Sequence, residues 1–217
     1  MSPVLTLASS VSAELVDRRS RFLAQLHPVA TVAEADSLIR SARAAHPGAR
    51  HTCTALILMA DGTGAPVQRS QDDGEPGGTA GMPMLQALLS AQLTDTLAIV
   101  TRYFGGIKLG TGGLQRAYGG AVEQSLESAE FLQRTTRLDA SLEVSHAQAG
   151  AAENVVRQFV AAHGGEVLPA HYGELAVRLP LLLPPGLLDA LQAEVSSWSS
   201  GTVTVTAHGS RTVDVPR

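Results

Sequence analysis

Two glycine-rich runs, set one αβ unit apart, constrain this chain more than any other feature of its sequence. The first is Asp72-Asp73-Gly74-Glu75-Pro76-Gly77-Gly78-Thr79-Ala80-Gly81-Met82-Pro83. The second is Thr101-Arg102-Tyr103-Phe104-Gly105-Gly106-Ile107-Lys108-Leu109-Gly110-Thr111-Gly112-Gly113. Glycine tolerates positive φ and close backbone approach, so such runs mark tight turns or contacts that exclude a side chain. Between them lie a helix pattern, Met82 to Gln92, and a strand pattern, Thr94 to Thr101. That separation lets the two loops lie side by side, open to solvent, at one end of a sheet.

The 217 residues are 44% hydrophobic and 17% charged, enough to build one large or two small cores. A net charge of −4 argues against a generally basic nucleic-acid binder but leaves room for a local patch. Lysine occurs once, at Lys108. The single cysteine, Cys53, excludes an internal disulfide and a thiolate metal cluster. Residues 1–20 lack a basic start followed by an apolar core. No apolar run reaches the roughly 20 residues needed to cross a bilayer. A soluble cytoplasmic protein without a membrane partner is expected.

Along the chain, Val4 to Leu7, Ser12 to Val16 and Arg21 to Leu26 read as strands, with a turn or edge at Arg18-Arg19-Ser20-Arg21. Thr31 and Glu34 form a capping box before a helix carrying Ala35, Leu38, Ile39 and Ala42. His51 to Ala60 is apolar on both faces, which predicts a central strand with Cys53 in the core. Asp61-Gly62-Thr63-Gly64 predicts a turn, and Val67 to Ser70 a short strand. A helix follows the second glycine run, from about Leu114 to Ser128. A boundary near Thr135 separates residues 1–135 from 136–217. The second part reads βαββαβ: Leu138 to Val144, Ala147 to His163, Glu166 to His171, Glu174 to Leu181, Pro185 to Ser197 and Thr202 to Thr206.

The two runs each admit two chemical readings. Asp72, Asp73 and Glu75 place three carboxylates where oxygen ligands for Mg²⁺ or Ca²⁺ would be needed. Alternatively, Asp72 or Asp73 accepts hydrogen bonds from nearby backbone N–H groups and fixes the turn. Thr79 is placed to cap the next helix. Strand, glycine loop and helix in the second run present backbone N–H groups to an anion, with Arg102, Lys108 and Arg116 adding positive charge. Neither nucleotide-binding glycine fingerprint is present, and glycines placed for turns explain Gly105, Gly106, Gly110, Gly112 and Gly113 equally well. Tyr103, Phe104 and Tyr118 are contact or stacking anchors if exposed and core if buried.

The pattern Asp-Asp-Gly-Glu-Pro-x-Gly-Thr-Ala-Gly-x-Pro at 72–83, followed by Arg-Tyr-Phe-Gly-Gly-Ile-Lys-Leu-Gly-x-Gly-Gly-Leu-x-Arg-Ala-Tyr at 102–118, resembles the YigZ/IMPACT family. Arg21-Phe22, His46 and His51-x-Cys53 are similar to it too, so the likeness covers about residues 18–128. The resemblance implies an α+β chain of two domains. One is an IMPACT-type N-terminal domain with the ribosomal-protein S-five second-domain fold, a sheet backed by helices on one face. The other is a ferredoxin-like domain similar to the last domain of elongation factor G. It also implies a link to translation regulation, because eukaryotic members bind a ribosome-associated activator of a stress kinase. Some bacterial members are labelled proline dipeptidases; no cluster of His and carboxylates here supports that label. Thr54 and Leu56 stand where aromatics are common, and Gly77 where a small hydroxyl residue is frequent.

A binding and regulatory module is therefore expected rather than an enzyme, with no cofactor and with RNA, the ribosome or a translation-associated protein as partner. Its candidate binding residues are Asp72, Asp73, Glu75, Thr79, Arg102, Tyr103, Phe104, Gly105, Gly106, Lys108, Gly110, Gly112, Gly113, Arg116 and Tyr118. The alternative is an enzyme with a metal on the 72–75 loop and a phosphate on the 105–113 loop. A third reading makes both loops structural turns.

Overall fold

The computed structural model describes residues 4–59 and 66–216. The turn expected at Asp61-Gly62-Thr63-Gly64 lies outside the described residues. In chain order the elements are β1 (Val4–Leu7), β2 (Val11–Asp17), β3 (Ser20–Pro28), α1 (Val32–Ala45), β4 (His51–Leu58), β5 (Val67–Gln71), α2 (Gly81–Ser90), β6 (Thr96–Tyr103) and α3 (Thr111–Leu126). There follow β7 (Phe131–Val144), α4 (Ala149–His163), β8 (Glu166–Val167), β9 (His171–Tyr172), β10 (Val177–Leu183), α5 (Leu188–Ser199) and β11 (Val205–Pro216). The chain forms two compact units: one reaches Arg134 and takes back the residues from Asp214, and the other is Thr135–Val213. The return has a visible cause in the first unit, where Asp214 accepts two hydrogen bonds of 2.8 Å from Arg134. The last strand is accordingly longer and later than the predicted Thr202 to Thr206.

The first unit is built on an antiparallel sheet of order β2-β3-β6-β4-β5. Successive side chains on a strand point to opposite faces. Cys53, Ala55, Ile57, Ala98 and Val100 pack with Met84, Leu88, Leu114 and Tyr118 from α2 and α3. Leu56, Leu58, Leu97 and Ile99 pack with Ala35 and Ala42 from α1. Helices therefore cover both faces, not one as the resemblance implied. A strand as apolar on both sides as β4 needs that second cover. The α1 cap forms as expected at Thr31, whose Oγ1 accepts from the Glu34 N–H, while the Glu34 carboxylate accepts from Ala30 N–H.

Register fixes where the loops emerge. His51, at the start of β4, pairs with Arg102 near the end of β6, and Thr54 pairs with Gln71 at the end of β5. Arg21, near the start of β3, pairs with Tyr103. So the 72–80 turn, the 104–110 loop and the β2–β3 turn all leave the same end of the sheet. The β2–β3 turn holds Arg18 at φ 44° and Arg19 at φ 67° between the paired Asp17 and Ser20. Two consecutive positive φ values match the twist of a tight hairpin.

In the second unit, β10 lies antiparallel between β7 on one side and the short β8 and β9 on the other, with β11 beside β7. Helices α4 and α5 supply Val156, Phe159, Leu191 and Val195 to a core with Leu142, Leu179 and Leu181. The single strand predicted for Glu166 to His171 is split in two around Pro169, which has no N–H to donate to a ladder. The next strand starts at Val177, not Glu174, because Gly173 N–H closes a turn onto Ala176 O at 2.9 Å. Among the described residues, no helix is long and apolar enough to cross a membrane.

Gly105 shows how tightly this end is packed. A Cβ added there would stand 2.0 Å from the Arg19 carbonyl carbon, whereas at Gly106, with φ +87°, it would meet nothing within 4 Å. Gly106→Ala should lower stability by about 1 kcal/mol through backbone conformation alone. Gly105→Ala should cost about 3 kcal/mol, because hairpin and loop must separate. Urea unfolding of the two variants checks this order.

Candidate functional site

The acidic turn is held by its own carboxylates. Asp72 Oδ1 accepts from the N–H groups of Ala80 and Gly81 at 3.0 and 2.9 Å, and Oδ2 accepts from Gly78 N–H at 2.8 Å. The Ala80 and Gly81 groups are donors at the start of α2 that the helix itself leaves unpaired, and Gly78 lies in the turn before it. Thr79, predicted to cap α2, instead donates its hydroxyl to Pro76 O at 2.6 Å. Asp73 sits at φ 45° and accepts from Thr52 N–H at 2.7 Å and from Arg43 Nη2 at 2.8 Å. Its carbonyl accepts from His51 Nδ1 at 2.8 Å, so that nitrogen carries the proton and Nε2 is left 4.0 Å from Glu75 Oε1.

Glu75 turns the other way, into the protein. It is buried, and its Oε1 accepts from Arg102 Nη1 at 2.6 Å and from the Tyr118 hydroxyl at 2.8 Å. Arg102 is only 6% exposed, and its guanidinium lies over the rings of Phe22 and Phe104. Tyr118 is wholly enclosed and meets Phe22 edge-to-face. Burial, then nearby negative charge, raises the Tyr118 hydroxyl far above its ordinary pKa, so it stays a donor. The three carboxylates thus serve three separate sets of partners. Among the described residues, no three His, Cys, Asp or Glu side chains stand close enough to share a metal ion. The oxygens of the 72–75 loop accept from backbone N–H groups, arginines and the Tyr118 hydroxyl, and for Asp72 and Asp73 this is the turn-fixing arrangement. Beside this joint, burial pushes the Cys53 thiol up to about 12. It is a core residue that also donates to Asp72 O at 3.0 Å.

Outside the joint lies a cavity of about 430 Å³ lined by Arg50, His51, Glu75, Pro76, Arg102, Phe104, Lys108, Leu109 and the first residues of α3. Both glycine runs contribute to it. Gly110, at φ 73°, precedes α3, and no side chain caps the helix start.

The Impact N-terminal domain model matches residues 18–126, which hold the whole joint and cavity. The IMPACT family member YigZ of Escherichia coli strain K12 is 35% identical over 194 residues, covering 88% of this chain and 90% of that one. The chain belongs to the IMPACT family. A member from Haemophilus influenzae is 34% identical over 209 residues, covering 94% and 97% of the two chains. YvyE of Bacillus subtilis strain 168 is 41% identical over 145 residues, and the matched stretch spans 65% of its length. A crystal structure described as that of a hypothetical protein is 33% identical, covers 96% of this chain and 98% of that one, and superposes with a TM-score of 0.58.

For this IMPACT protein the predicted site residues separate into two groups. Asp72, Asp73, Glu75, Thr79, Arg102 and Tyr118 are joined by hydrogen bonds that hold the fold, so Arg102 and Tyr118 are not surface contacts. Gly105 is fitted against Arg19, and Gly113 against Leu109. Tyr103 is half-buried and bonded to His46 Nδ1 at 3.0 Å. Phe104, Gly106, Lys108, Gly110 and Arg116 are exposed, and Gly112 is half-buried. The sequence reading gave Arg50, His51 and Leu109 no place among the site residues, and put Arg18 and Arg19 at a turn or edge. The β4–β6 register brings Arg50 and His51 to the site, which no local motif signals.

Burial works to raise the Asp72 carboxyl, but the N–H groups of Gly78, Gly81 and Ala80 outweigh it and hold the pKa below its ordinary value. Asp72→Ala should cost about 2 kcal/mol at pH 7, read from the urea midpoint. A depressed folded pKa contributes stability above the unfolded value and loses it as pH falls through the folded one. The gap between wild type and variant should therefore narrow below about pH 4.

Proposed function

We propose that this IMPACT-family chain is a non-enzymatic binding and regulatory module, acting in translation in the cytoplasm by contacting RNA of the ribosome. Family membership fits a translation-linked role. The observation that carries the reading is the composition of the surface at the loop end of the first sheet. Phe104 and Ile107 are 44% and 41% exposed there. Arg18, Arg19, Arg50, Lys108 and Arg116 are exposed as well and make no ion pair among the described residues. Free cations beside an exposed aromatic ring suit a phosphate backbone with unstacked bases. The net charge of −4 makes this a local patch, able to orient a polyanion rather than coat it.

The finer fold assignments belong to the same reading. Residues 1–135 are taken as the IMPACT-type domain on the ribosomal-protein S-five second-domain plan. Residues 136–217 are taken as a ferredoxin-like domain. For the latter, the support is the order β11-β7-β10 followed by β8 and β9, with both helices on one face.

Binding to purified ribosomes or structured RNA should weaken steeply with salt, and Lys108→Glu should lower affinity and remove about one phosphate contact from the salt slope. Unchanged affinity in that variant removes Lys108 from the surface. A partner retained from extract after RNase treatment makes it a protein-binding surface instead.

A further inference from the structure

The cavity beside the buried joint has the donors of an anion site and the walls of an aromatic one. Four basic side chains line it: Arg50, His51, Arg102 and Lys108. The one carboxylate among its lining residues, Glu75, already accepts from Arg102 and Tyr118, which leaves the cavity positive. Helix α3 starts in its wall at Thr111 with no side-chain cap, and the N–H groups of its first turn have no partner within the helix. Gly110 holds the entry at φ 73°, and an added Cβ there would meet nothing within 4 Å, so its glycine answers to backbone conformation alone. A second feature is independent of the helix. Arg102 is more than nine-tenths buried in the cavity wall, and its Nε is buried without a hydrogen-bond partner. The remaining walls are apolar: Pro76, Phe104, Leu109 and Leu114, with the Phe104 ring partly exposed.

From this arrangement we infer that the cavity is a binding site for a nucleoside phosphate. The phosphate lies at the start of α3 between Arg50 and Lys108, and the base lies against Phe104. A helix start with free N–H groups and two exposed cations matches an anion with three oxygens. A cavity of about 430 Å³ is within the range for small-molecule ligands. A phosphorylated RNA end and a free nucleotide share this chemistry. The site shares Arg50, Phe104 and Lys108 with the proposed RNA-contacting surface, but the monophosphate titration tests it whether or not that surface binds RNA.

The test is a titration of the full chain with adenosine 5′-monophosphate, adenosine, and one short oligoribonucleotide with and without a 5′-phosphate. Backbone amide shifts and calorimetry are the readouts. The expected result is saturable binding of the monophosphate with shifts at Thr111, Gly112 and Gly113, and at least about ten-fold weaker binding of adenosine. Thr111→Pro removes one N–H at a helix position where proline is tolerated, so the fold survives. It and Arg50→Glu should each weaken the monophosphate at least about ten-fold. If the phosphorylated oligonucleotide binds more tightly than the monophosphate, the source is an RNA end; the reverse order identifies a free nucleotide. Equal binding of adenosine and its monophosphate, unchanged affinity in both variants, or no shift at the α3 start overturns the inference.

Discussion

Taking a carboxylate and a guanidinium out of water is costly, and their mutual attraction offsets that cost only where the geometry is good. Glu75 and Arg102 meet at 2.6 Å where each is almost wholly enclosed, and Tyr118 supplies the further donor to the same oxygen. Three elements far apart in sequence are tied by this contact: the turn after β5, the end of β6 and the body of α3. The rest of the loop end is arranged around it. Ser20 hydroxyl accepts from Gly105 N–H at 3.2 Å and stands 3.4 Å from Arg102 Nη2, which brings in the β2–β3 hairpin. Phe22 lies under the guanidinium and against Tyr118. With the joint in place, Phe104 and Lys108 are held at the cavity rather than left on a free loop.

The glycines follow from the same packing. Gly105 is present because the Arg19 backbone occupies the space of a side chain, and Gly81 because Gln71 N would stand 2.6 Å from a Cβ. Gly106 and Gly110 are present for positive φ instead. A loop so determined has little conformational freedom to lose on binding, which favours a preformed contact surface.

Much of the first unit was legible in the sequence because local rules and tertiary demands agree there. The doubly apolar β4, the α1 capping box and the strand running into a glycine loop each specify one structure. The placement of charge was less legible. The acidic run Asp72, Asp73 and Glu75 looks like one cluster in sequence, yet the turn sends its members to a helix start, a neighbouring strand and the core. Arg102 looks like a surface cation because arginine usually is one, and only the partner at Glu75 makes its burial tolerable. His51 and Arg50 reach the cavity through strand register, a long-range property that no short motif encodes. In the second unit, Pro169 was visible, but its effect on a paired strand depends on the ladder it interrupts.

The most direct measurement is a double-mutant cycle on the joint, with Glu75→Gln, Arg102→Met and the pair, followed by urea unfolding at pH 7. Each single change strands a buried charge or donor and should cost about 3–5 kcal/mol. The double variant removes both charges and should lose less than the sum of the singles by about 2–3 kcal/mol. Additive losses, with coupling within about 0.5 kcal/mol of zero, would mean that the two side chains do not depend on each other and that something else holds the loops together.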